Sequence, residues 1–235
     1  MRRLFAITLA LFGLAGSANA EPDIKILVDR EPSGISVYFA TEAGALPAIF
    51  GAGADELLTP EGVVDIDGLY RGTFDTADDI FRAMDTEIDG SVADFEALSM
   101  MVHDPSILPP FATPYDAAMA VAVCNSPETV RDMHLEDLKA FLGFYAWKAD
   151  PWADVSLTFP ATGRESLEVE VIDYAVDGRM TRYEATLGDG TALSLSAPAP
   201  ARFTTLVPLI FVAASLLSIG GLGVVARRLW ATRQS

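Results

Sequence analysis

Between Asp85 and Glu96 the chain carries oxygen-bearing side chains at alternate positions: Asp85, Glu87 and Asp89, then Gly90 at the midpoint, Ser91 and finally Glu96. A hard cation such as calcium takes about six to eight oxygens, and a short loop wraps one only if carboxylates recur at every second residue and the chain turns sharply halfway. Other chemistries have less to work with. His103 and His134 are the only histidines, and no His-x3-His or Cys-x2-Cys spacing suggests zinc. There is no Gly-x-Ser-x-Gly elbow and no Ser-x-x-Lys pair. Gly51-Ala52-Gly53-Ala54 lacks the third glycine and the Lys-Ser/Thr of a phosphate loop, so it reads as a turn. Cys124, the sole cysteine, lies in the apolar stretch Ala117 to Cys124 and reads as a small buried residue; a nucleophilic dyad with His134 rests on nothing more than both being present. No enzyme is expected.

The Asp85 to Glu96 segment resembles an EF-hand loop. That resemblance implies calcium held by Asp85, Glu87 and Asp89, by the carbonyl oxygen of Ser91 and by both oxygens of Glu96, with Gly90 at the turn. It extends over residues 74–102: Ala77, Ile80, Phe81 and Met84 fit the apolar face of an entering helix, and Leu98, Met100 and Met101 that of an exiting one. Glu87 is longer than the usual ligand, Ile88 is bulky, Ala93 ligates only through water, and no second good loop pairs with this one. Asp173 to Glu184 mimics the spacing, but Ala175 cannot ligate and its surroundings read as strands. The resemblance therefore implies weak, structural calcium binding.

The elements that would position this loop suggest an α+β fold. Ile24 to Val28 and Gly34 to Phe39 flank Glu31-Pro32-Ser33-Gly34 and read as a hairpin. A helical middle is predicted from about Thr76 to Trp147, interrupted at Leu108-Pro109-Pro110 and Asn125-Ser126-Pro127. Its last helix is read from Val130, His134, Leu138, Phe141, Leu142 and Tyr145 at three- and four-residue spacing. Over residues 152–196 the pattern turns to period two, with Asp177-Gly178 and Gly188-Asp189-Gly190 as turns, which predicts an antiparallel meander. Strands at both ends could form one sheet.

Residues 1–20 read as a signal peptide: Arg2 and Arg3 precede the apolar run Leu4 to Leu14, and Ser17-Ala18-Asn19-Ala20 supplies a small-residue cleavage site. Residues 204–226 read as a transmembrane helix, uncharged from Leu206 to Ala226, and residues 227–235 as a basic cytoplasmic tail. Val207-Pro208-Leu209 followed by Arg227-Arg228 also resembles the C-terminal sorting signals of exosortase-type systems, although Ile210 and Phe211 replace the Pro-Ala of that pattern. Such a resemblance implies processing at the cell surface. All 33 acidic residues fall in residues 21–203, against eleven of the 16 basic ones. An acidic extracytoplasmic domain of this kind repels nucleic acid and suits cations or basic partners. The function expected is an exported, membrane-anchored protein of the periplasm or cell surface that binds calcium and interacts with a protein partner; the alternative is a metal-independent adhesion or assembly module.

Overall fold

The computed structural model describes residues 21–53, 55–108, 110–122 and 127–197. Their fold is predominantly β: ten strands in two sheets with three short α-helices. The first sheet has six strands in the order β5-β6-β2-β1-β8-β9. These are β1 Ile24–Glu31, β2 Gly34–Glu42, β5 Phe95–His103, β6 Lys139–Trp147, β8 Leu167–Tyr174 and β9 Met180–Leu187. β1 pairs antiparallel with β2 and parallel with β8; the other neighbours are antiparallel. The second sheet, β10-β7-β3-β4, is smaller: β3 Asp85–Ile88, β4 Ser91–Val92, β7 Val155–Thr158 and β10 Ala192–Leu195.

One face of the large sheet, carrying Ile26, Val28, Val37, Phe39, Leu142, Phe144, Val169 and Val171, shares a core with Val155, Leu157, Leu193 and Leu195 of the small sheet. Phe39 holds the centre, edge-on to Phe50, Phe144 and Phe159 at 5.6–6.4 Å between ring centres. Helix α2, Ile66–Arg82, contributes Leu69, Ala77 and Ile80 to the same core; the Asp65 side chain caps it by accepting from the Asp67 amide, and Arg82 complements the negative end of its dipole. Helix α1 is the single turn Leu46–Phe50. Helix α3, Pro114–Val121, opens on a Thr113/Asp116 capping box and covers part of the opposite face, with Ala117, Ala120 and Val121 on Leu27, Tyr38, Ala40, Phe141 and Ile172.

The expected helical middle is corrected. After α2 ends at Arg82 the chain enters strands, and the exiting EF-hand helix is β5, with Leu98 at a bulge and Met100 and Met101 buried in the strand. The sequence Phe-Glu-Ala-Leu-Ser-Met-Met has good helix formers, but pairing with β6 overrides that local preference. The helix read through Phe141, Leu142 and Tyr145 is β6, the second strand in from that edge of the large sheet. Because β6 is buried on both faces, its side chains show no period-two alternation. The C-terminal meander is divided: β8 and β9 extend the large sheet, while β7 and β10 belong to the small one. Among the described residues no helix is long and apolar enough to cross a membrane. The signal peptide over residues 1–20, the spanning segment 204–226, the tail 227–235 and Cys124 lie outside the described residues.

At the end of the core-facing row of β1, Arg30 is fully buried, and its five N–H donors all find acceptors. Nε and Nη2 meet the Asp173 carboxylate at 2.8 and 3.0 Å, Nη1 reaches the carbonyls of Ala153 at 2.6 Å and Pro151 at 3.3 Å, and Nη2 reaches that of Leu195 at 3.0 Å. One guanidinium thus joins β1 and β8 to the approach to β7 and the end of β10. Burial pushes the Asp173 carboxyl up against the downward pull of Arg30. Arg30→Met should cost about 3–5 kcal/mol in urea unfolding because it leaves a buried carboxylate unpaired. The double variant Arg30→Met/Asp173→Leu should lose less than the single one.

Candidate functional site

The residues of the expected calcium loop form a β-hairpin. Glu87 stands opposite Val92 and Ile88 opposite Ser91, with Asp89 and Gly90 as a two-residue turn at φ values of 51° and 72°. Positive φ at both positions is the signature of the tight hairpin turn that Asp-Gly favours. Asp85 and Glu87 are exposed on strand β3, paired with Thr158 and Ser156 of β7. Asp89 ties the hairpin to Asp154: its carboxylate accepts from the Asp154 amide at 2.9 Å, and its own amide donates to the Asp154 carbonyl at 2.9 Å. Glu96 lies on β5, where its carboxylate accepts from the Trp147 indole N–H at 3.0 Å. An EF-hand needs a loop between two helices whose oxygens converge, and here they diverge along three strands. No group of three or more His, Cys, Asp or Glu suited to a metal occurs among the described residues. The EF-hand and calcium reading is therefore corrected.

The two histidines are also apart. His103 is buried on β5 with Nε2 at 2.7 Å from the Ala120 carbonyl and its ring edge-on to Phe141; burial holds its pKa below the usual imidazole range, so the neutral ring donates. His134 precedes a short 3-10 turn and bridges Val63.

A different constellation emerges from the register of the large sheet. On the face that α3 partly covers, Glu96, Tyr145, Ser36, Asp29 and Tyr174 stand side by side on β5, β6, β2, β1 and β8. Tyr38 lies in the neighbouring row opposite Gly143, and Trp147 opposite Gly34. The two glycines make the space: a Cβ on Gly143 would sit 3.1 Å from the Tyr38 ring, and one on Gly34 would collide with the Ala146 carbonyl and lie 2.9 Å from the Tyr145 hydroxyl. Trp147 is 62% exposed, its ring meeting Tyr145 edge-on at 4.4 Å. Indole, phenol and carboxylate therefore brace one another at the end of β6.

Beside this aromatic pair the charge is negative and unbalanced. Asp29, partly buried and next to Glu31, has a carboxyl pushed up to about 6, first by burial and then by Glu31. Burial raises the Tyr38 phenol as well, with Asp29, Glu31 and Tyr145 adding to the shift against a Ser36 hydrogen bond. No Lys or Arg among the described residues forms an ion pair with Asp29, Glu31 or Glu96. By contrast, a cleft of about 160 Å³ near Lys25, Lys139, Phe111 and Phe141 has its ammonium groups matched: Lys139 pairs with Glu21 and Glu42 at 2.8 and 2.7 Å, and Lys25 lies 3.9 Å from Glu170. Among the described residues the carboxylates around Trp147 have no such cation: Glu96 accepts only from the indole and Glu31 from the Ser33 hydroxyl.

Register across strands distant in sequence creates this face, and no local motif announces it. Nothing in the sequence places Tyr145, Trp147 and Glu96 beside Asp29 and Ser36. Comparison with known proteins adds no family: no protein-family model matches the chain, and no curated protein matches it.

Raising a carboxyl on folding gives a defined pH response. A group whose folded pKa exceeds its unfolded value contributes most below the unfolded pKa, and that contribution is lost as pH rises through the folded pKa. For Asp29 the window runs from its ordinary value of 3.8 to about 6. Asp29→Asn should therefore stabilise the domain at pH ~7.5 by roughly 1–2 kcal/mol after allowance for solvent screening, with the gain closing between about pH 6 and pH 4. Urea midpoints across that range check it.

Proposed function

We propose that the chain is an exported, membrane-tethered protein whose acidic β domain binds a basic segment of a protein partner without metal. The observation that carries this reading is the exposed Trp147, braced by Tyr145 and Glu96, beside Asp29 and Glu31, carboxylates that form no ion pair with a lysine or arginine among the described residues. A Lys or Arg side chain laid on the indole gains from the ring quadrupole, about 0.5–2 kcal/mol depending on desolvation. It also meets carboxylates on either side. The acidic excess of residues 21–203 extends the attraction beyond contact, speeding encounter with a basic partner and repelling acidic ones. Such a face binds; adhesion or assembly is the role that fits it.

Binding of a lysine- and arginine-containing peptide should be salt-sensitive and unchanged by chelator. Trp147→Ala and Glu96→Gln should each weaken it about tenfold, as read by titration calorimetry. Equal binding by Trp147→Ala would remove the reading.

Export rests on Arg2-Arg3, the apolar run after them and the Ser17 to Ala20 ending; tethering rests on the uncharged run Leu206 to Ala226 and the arginines beyond it. In membrane vesicles of known orientation, protease should reach residues 21–197 only from the side opposite the cytoplasm. A carbonate wash should leave the chain in the membrane until residues 204–235 are deleted.

A further inference from the structure

The large sheet ends on one side at β5 and on the other at β9. β5 is poorly suited to accept another strand, because its register shifts between Ala97 and Ser99 and α2 packs beside it. β9 is different: eight residues paired without interruption to β8, containing no proline, with Met180, Thr181, Arg182, Glu184 and Thr186 exposed. A strand of this kind presents a row of backbone N–H and C=O groups able to bind another strand.

The side chains of β9 say which strand it fits. Tyr183 and Ala185 turn toward the shared core, so Arg182 and Glu184 stand on the opposite face. Across the ladder Glu184 is directly opposite Glu170, a like-charge pair of the kind that destabilises a sheet. Glu170 has two cations near it, Arg182 in contact and Lys25 at 3.9 Å; among the described residues Glu184 has none.

We propose that β9 pairs antiparallel with β9 of a second copy of this chain, about a two-fold axis through Tyr183. That register sets Arg182 opposite Glu184 of the second copy, Thr181 opposite Ala185 and Met180 opposite Thr186, and the symmetry repeats each pair. Each Glu184 gains a cation that no described residue of its own chain supplies, and each arginine, with five donors in a planar fork, bridges Glu170 of its own chain and Glu184 of the other. Neighbouring registers fail. An axis through Arg182 or Glu184 sets like charges face to face, and an axis between two residues sets an outward-pointing N–H against an inward-pointing one. The product is a continuous twelve-stranded sheet. It leaves Trp147 free, because β6 lies toward the other edge.

Sedimentation equilibrium of the full chain in density-matched detergent tests the pairing. The wild-type chain should dimerise reversibly. R182E and E184R should each weaken the dimer about tenfold or more by creating symmetric like-charge pairs, and R182E/E184R should return to within about threefold of wild type. Unfolding midpoints of the three variants separate loss of pairing from loss of fold. A wild-type chain that stays monomeric overturns the proposal and leaves the two charges as guards against edge pairing. A dimer that none of the variants alters places the contact elsewhere and overturns it equally. Single variants that weaken the dimer without recovery in the double one refute the register.

Discussion

A single buried guanidinium holds the two sheets in register. Arg30 occupies the core-facing row of β1 where Ile24, Ile26 and Val28 would predict another apolar residue, and it spends every donor on a group from elsewhere in the chain. Its carboxylate partner is on β8, and its carbonyl partners precede β7 and close β10. Taking an ion pair out of water is expensive, and apolar packing would serve stability as well or better. What the arginine adds is direction: hydrogen bonds define where the small sheet sits on the large one, whereas interdigitated methyl groups permit slippage. The aromatic centre around Phe39 then fills a space whose walls are already placed.

That placement governs the outer face too. With β1 fixed between β2 and β8, Asp29 must lie beside Ser36 and Tyr174, and Tyr38 and Tyr145 must lean over the two glycines. The energetic tension at this face centres on Asp29, a carboxylate partly withdrawn from water beside Glu31, with no cation among the described residues in an ion pair with it. A fold selected for stability alone would neutralise that carboxylate, as it does at Lys139, where two glutamates meet one ammonium. Leaving charge unanswered costs stability.

Much of the β architecture was legible locally, and the errors have a common cause. The first hairpin and strands β7 to β10 were readable because turns and alternation mark them. β5 and β6 were misread as helices because one is built from good helix formers and the other, buried on both faces, has lost the alternation that marks a strand. At Asp85 to Glu96 two readings competed for the same residues. The Asp89-Gly90 pair fits the midpoint of an ion-binding loop, although Asp-Gly between extended segments is also a strong hairpin signal, the same one that marks the turn at Asp177-Gly178. Alternate carboxylates fit either reading, since period two is also the repeat of a strand with one exposed face. The Trp147 face was not legible at all, because it is written in registers between strands far apart in sequence, such as Ser36 opposite Tyr145 and Asp29 opposite Tyr174, and not in any contiguous motif.

The parallel pairing of β1 with β8 has a further consequence, one of timing. The Arg30 to Asp173 contact spans 143 residues, so the central strand of the large sheet cannot acquire its second neighbour until nearly the whole domain has left the ribosome. Non-local closure of this kind is slow, and it cannot begin while synthesis is incomplete. The buried ion pair is thus a lock that closes late: until β8 is in place, β1 carries an arginine in an apolar row with no carboxylate to receive it.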